Sequence, residues 1–177
     1  MVSSNKELDF RKVMAFSQVD RIVVTMVLTC SMPFMFHAIP LFSGPEWGMR
    51  WLPMFYAPLI ASLLFRPHVS LIVGVGAPLI NHALLGMPDS RVLPGLIFEL
   101  VVLNAILVLI SKQRQMRGMY VVPVFIGVRI LSLLIFSKTG EGVSIQLAHS
   151  LLVAWPGVIM LALLAEIMGR VVGRDNS

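Results

Sequence analysis

The charge in this sequence is gathered into short segments, and between them run six long stretches that carry almost none. That pattern constrains the fold more than any motif does. About 20 apolar residues in a helix, rising 1.5 Å each, cross the hydrocarbon core of a bilayer. A helix with no polar face has no place on the surface of a soluble domain. The runs cover residues 22–36 (or on to 41 if the helix passes Pro33 and Pro40), 51–65, 69–85, 92–110, 119–136 and 143–168. Only 13% of the 177 residues are charged and 57% are hydrophobic, where a soluble domain carries about a quarter charged. The expectation is an all-α integral membrane protein, a compact bundle of six transmembrane helices over residues 19–170. A polar lead-in at 1–18 precedes it and a tail at 171–177 follows.

Six spans place both termini on one side of the membrane. Lys6, Arg11, Lys12, Arg21, Arg66, Lys112, Arg114, Arg117, Arg170 and Arg174 then share that side, against Arg50, Arg91 and Lys138 on the other. The excess of Lys and Arg predicts cytoplasmic N and C termini. It also accounts for the formal net charge of +5 without a nucleic-acid partner. Cys30 is the single cysteine, so no intrachain disulfide forms. The second run is short, roughly 22 Å as a helix, and holds Pro53 and Pro58. It spans only where the bilayer thins or Arg66 snorkels.

Counting along the helices places the polar residues by depth. His82 falls roughly 6 Å, and His37 and His149 roughly 8 Å, below the outer helix ends. Glu99 and Arg129 come out at roughly 10–12 Å. Asn81 adjoins His82, and Gln146, His149 and Ser150 share one face of the sixth helix at i, i+3 and i+4. Five helices thus supply polar groups to the outer half, while the inner half offers little besides Asn104. This asymmetry points to a substrate site opening outward, built from Asn81, His82, Glu99, Arg129, Gln146, His149, His37 and Trp47. Each residue also has a plainer role. Glu99 and Arg129 form a structural ion pair as readily as they touch a substrate, since a lone charge at mid-membrane costs about 2.5–3.5 kcal/mol. Trp47 equally suits an interfacial belt, and Asn104 reads as an interhelical hydrogen-bonding residue. The histidines lack close metal-ligand spacing, so no metal is expected. HExxH, GxSxG and P-loop motifs are missing from the sequence, so no enzyme is expected.

Six hydrophobic helices, a short second span opening Trp51-Leu-Pro-Met-Phe-Tyr-Ala-Pro58, and Leu84-Leu-Gly-Met-Pro88 after the third together resemble the substrate-binding S component of energy-coupling factor (ECF) transporters. The resemblance covers most of the chain in size and topology, and residues 51–88 at the level of motif. It implies a multi-pass subunit of a prokaryotic cytoplasmic membrane that binds a vitamin or related micronutrient in its outer half. Its partners would be a transmembrane coupling subunit and a pair of ATPases, which would use the ATP; the chain would need no cofactor of its own. Many members dock through Ala-x-x-x-Ala on helix 1. Here that helix offers Thr25-x-x-x-Thr29, and Ala57-x-x-x-Ala61 falls on helix 2, so these four are the docking candidates. Histidines at the mouth suit a cobalamin-like ligand, and Arg129 with Glu99 equally suits a carboxylate such as pantothenate. Two other functions fit the pattern: a self-sufficient proton-coupled secondary transporter with Glu99 as carrier, and a membrane assembly or scaffold protein.

Overall fold

A computed structural model describes residues 17–38, 49–65, 67–113, 117–136 and 143–174, apart from the side chains of 34, 36–38, 112, 113, 143, 144 and 172–174. Among the described residues it is all-helical, with no strand. The helices are α1 (Gln18–Ala38), α2 (Pro53–Leu64), α3 (Pro67–Leu85), α4 (Leu93–Gln113), α5 (Val121–Phe136) and α6 (Val143–Arg174), with a 3₁₀ turn at Gly118–Tyr120 leading into α5. Four stretches are long and apolar enough to cross a membrane: Pro67–Leu85, Leu93–Ser111, Gly118–Phe136 and Ile145–Val171. Their outer surfaces stay greasy, with Leu84, Leu134, Ile145 and Leu152 exposed. A surface of that kind belongs in lipid. The chain is a membrane protein on these grounds.

Local chemistry sets the helix ends. Ser17 opens α1 with a reciprocal cap: its hydroxyl accepts from the Asp20 N–H at 3.2 Å, and its own N–H donates to the Asp20 carboxylate at 3.0 Å. The lead-in therefore gives way to helix at Gln18, before the apolar run begins, and α1 passes through Pro33. Pro53 stands in the first turn of α2, where its missing N–H costs nothing. At the end of α3, Gly86 adopts φ 69° and donates its N–H to the His82 carbonyl at 2.9 Å.

The short second helix is the inner post of the bundle. α2 packs against α1, α3, α4 and α6, and eight of its 12 residues are buried. The sequence expectation was a strained span needing a thinner bilayer or a snorkelling Arg66. Arg66 lies outside the described residues, and the structure adds another way to meet the short length: a helix wrapped by its neighbours need not match the bilayer thickness. Leu52, Phe55, Tyr56 and Leu59 from this helix and its lead residue join Leu100, Leu103 and Leu107 of α4, Val121, Phe125 and Val128 of α5, and Ala154, Val158, Leu161 and Ala165 of α6 in one core. The i, i+3/i+4 spacing on every contributing helix is what lets them interlock. Phe55 and Phe125 meet edge to face, their ring centroids 5.9 Å apart.

Two glycines allow close approaches. A Cβ on Gly157 of α6 would lie 2.8 Å from the Trp51 carbonyl carbon. It thereby makes room for the turn at Leu52, which is buried at φ 51°, an uncommon conformation for leucine. A Cβ on Gly118 would collide with the Ala162 carbonyl oxygen. Gly118 instead lies flat on α6 and donates its N–H to Glu166 Oε2 at 2.9 Å, while Arg170 Nε holds Oε1 at 2.9 Å. At the same end of the bundle Gln18 bonds His68 at 2.6 Å, and Arg21 covers the Phe65 ring at 5.3 Å.

Candidate functional site

The opposite end, where α3 closes and α4 opens, holds most of the polar candidates. Asn81 lies on the buried stripe of α3 with Val73, Gly74 and Ala77. Seven residues separate it from Gly74, nearly two full turns, so the two point within about 20° of each other. Gly74 abuts Leu100 of α4, which aims Asn81 into the seam between α3 and α4. Its side chain is 1% exposed, and neither Oδ1 nor Nδ2 has a hydrogen-bond partner among the described residues. A buried carboxamide left unmet loses its hydration without replacement, about 1–3 kcal/mol for each such group.

His82, the next residue, turns about 100° away and is only half-buried. Its Nδ1 lies 2.8 Å from the Pro88 carbonyl oxygen. A carbonyl only accepts, so Nδ1 carries the proton. The contact ties α3 to the loop that follows. In that loop the Asp89 carboxylate accepts the Arg91 N–H at 2.8 Å, and the Asp89 carbonyl accepts from Val92 and Leu93 at 2.9 and 3.0 Å. The Arg91 N–H holds the Asp89 carboxyl below its ordinary range, with the Arg91 charge adding to the effect.

Glu99 and Arg129 meet across the seam between α4 and α5. Arg129 Nη1 donates to both carboxylate oxygens, at 2.7 Å to Oε1 and 2.6 Å to Oε2. The Ser132 hydroxyl, one turn beyond Arg129 and itself buried, also bonds Glu99. The Glu99 side chain is 5% exposed and that of Arg129 18%, so the pair meets its own charge inside the bundle. Arg129 Nε is buried without a partner among the described residues. α3 packs against α1, α2 and α4, whereas α5 packs against α4 and α6. Asn81 and the ion pair therefore approach α4 from different neighbours, separated by roughly 9 Å along its axis. The single shared site expected from depth alone resolves into two polar places.

The other candidates divide. On α6, Gln146 is half-buried and His149 exposed, and Ser150 turns its hydroxyl back to the Leu147 carbonyl at 3.0 Å. Trp47 and the side chain of His37 lie outside the described residues. Thr25, Thr29, Ala57 and Ala61 are all buried inside the bundle, where the two threonine hydroxyls bond back to the Arg21 and Thr25 carbonyls at 2.7 Å each. They serve helix packing here rather than standing on an outer face. Asn104 corrects its expectation. Among the described residues it makes no bond between helices: Nδ2 donates to the Leu100 carbonyl of its own α4 at 2.6 Å, and Oδ1 stays unmet. The bond back along its own helix takes one N–H of the carboxamide. Among the described residues no three His, Cys, Asp or Glu side chains gather as a metal site.

Sequence reasoning passed over Ser132 and the turn at Leu52. The first had a signal in its i+3 spacing from Arg129. The second had none, since nothing in Trp51-Leu52-Pro53 demands a left-handed leucine. The chain matches no family model, no curated protein and no solved structure.

Proposed function

We propose that the chain is the solute-binding subunit of an uptake system in a prokaryotic cytoplasmic membrane, acting as an S component does for a vitamin or related micronutrient. In this reading six helices span the bilayer, both termini are cytoplasmic, and the end bearing Asn81 and His82 faces out. The observation that carries it is Asn81, a buried carboxamide whose donor and acceptor are both unmet among the described residues, near the mouth of a membrane bundle. Helix packing alone gains nothing from such a group, whereas a bound solute can satisfy it. The charge asymmetry supports the orientation. The lack of any nucleotide motif supports dependence on separate ATPases reached through a coupling subunit.

The test is thermal stabilisation of the purified protein in detergent by a panel of vitamins. Saturable stabilisation by at least one is expected; a folded protein that none stabilises overturns the reading. A proton-coupled carrier is the second reading, favoured by the buried Glu99 carboxylate. It requires uptake driven by a pH gradient in liposomes containing this chain alone, and loss of that uptake in Glu99→Gln.

A further inference from the structure

We infer that Asn81 reads its ligand through an uncharged amide edge, a carbonyl oxygen beside an N–H, as found in lactams, imides and primary carboxamides. The inference rests on the solute-binding reading above and narrows it to a ligand class.

The argument begins with what a carboxamide can satisfy. Oδ1 accepts and Nδ2 donates, and on Asn81 both are unmet among the described residues, at 1% exposure. An amide edge answers both at once with a matched donor and acceptor. A carboxylate would engage Nδ2 but set a second acceptor against Oδ1. An ammonium would engage Oδ1 and leave Nδ2 stranded. A hydrocarbon would answer neither. The other buried carboxamide among the described residues makes a useful contrast, because Asn104 already bonds the Leu100 carbonyl through Nδ2.

Charge points the same way. The one basic side chain within the membrane portion of α5, Arg129, already contacts both Glu99 oxygens through Nη1. That pair balances itself across the separate α4–α5 seam, so Arg129 offers no spare charge to a ligand carboxylate buried beside Asn81. A carboxylate vitamin, one of the two ligand types the sequence admits, is therefore the poorer match. Position also favours Asn81 as the contact. It lies four residues, roughly 6 Å, from the end of α3, and Glu99 lies deeper along α4. A solute entering from the loop after α3 reaches Asn81 before it reaches the ion pair.

The experiment compares wild type, Asn81→Leu and Asn81→Asp in detergent, by thermal shift and calorimetry. The probes are nicotinamide, lipoamide and riboflavin, which carry amide edges, and nicotinate and lipoate, which carry carboxylates without them. Wild type is expected to bind at least one amide probe and neither carboxylate. Asn81→Leu should weaken that binding about 100-fold, roughly tenfold for each of the two hydrogen bonds lost, while melting at or above wild type without ligand. Asn81→Asp should also lose it, because its carboxylate has no N–H for the ligand carbonyl. Equal affinity in Asn81→Leu, or nicotinate binding more tightly than nicotinamide, overturns the inference. So does binding only of a vitamin without an amide edge, such as thiamine; these three results leave the solute-binding reading intact. If neither these probes nor the wider vitamin panel bind wild type, both fall together.

Discussion

Two polar places lie in the same half of this bundle, and they have solved the cost of burial in opposite ways. Between α4 and α5, Glu99 and Arg129 neutralise each other, with Ser132 helping to hold the carboxylate. On the buried face of α3, Asn81 has no partner for either polar atom among the described residues. The first place has its charges balanced without a ligand, with only Arg129 Nε left unpaired among the described residues. The second is uncharged and exacts less in desolvation, yet it is the one whose side-chain polar atoms are all unmet among the described residues. Charge at mid-membrane is thus poor grounds for assigning a binding role, because the larger its cost, the more strongly a chain must supply an internal partner. An unmet neutral amide carries more information about function.

The contrast can be broken most forcefully at the ion pair. Arg129→Met leaves Glu99 buried without a counter-charge and should cost about 3–5 kcal/mol, read as a lower unfolding midpoint in detergent. The double variant Glu99→Leu/Arg129→Met removes both charges and should recover to wild type or above. A double variant as unstable as the single one would mean that the seam does more than balance charge.

A smaller effect is expected where His82 ties α3 to its loop. His82→Ala loses the Nδ1 bond to the Pro88 carbonyl and should cost about 0.5–1.5 kcal/mol, with faster hydrogen exchange at the loop amides. If the variant instead destabilises as much as Arg129→Met, His82 belongs with the buried polar groups and not with the rim.

The smallest effect lies outside the membrane at Asp89. Its carboxyl is held below its ordinary range by the Arg91 N–H, so it stabilises the folded loop while ionised. That contribution is fully present above the ordinary aspartate value and is lost as pH falls through the lower folded value and the group protonates. Wild type should show this slight acid dependence of melting temperature, and Asp89→Asn should lack it.

The seam was legible in the sequence because two opposite charges at matched depth have few other choices. The apolar runs likewise reported helices, since length and missing charge are one-dimensional properties. Hydropathy could not reveal that α2 stands inside the bundle, because Phe55 facing protein and Leu134 facing lipid look alike to it. Neighbours on a helix were also misleading: Asn81 and His82 look like a pair, but one residue of rotation sends the first into a seam and the second to a loop. Asn104 shows a further limit. Whether a buried amide bonds across or back along its own helix is decided by side-chain geometry that no spacing rule carries.

The unliganded stability of Asn81→Leu tests the central claim most directly. Leucine keeps the branched shape of asparagine and removes both unmet polar atoms. If Asn81 is held for a ligand, the variant should be more stable than wild type by about 1–3 kcal/mol, measured as a higher unfolding midpoint in the same detergent. A variant less stable than wild type would show that Asn81 already has its hydrogen bonds in the resting protein, and would contradict the account.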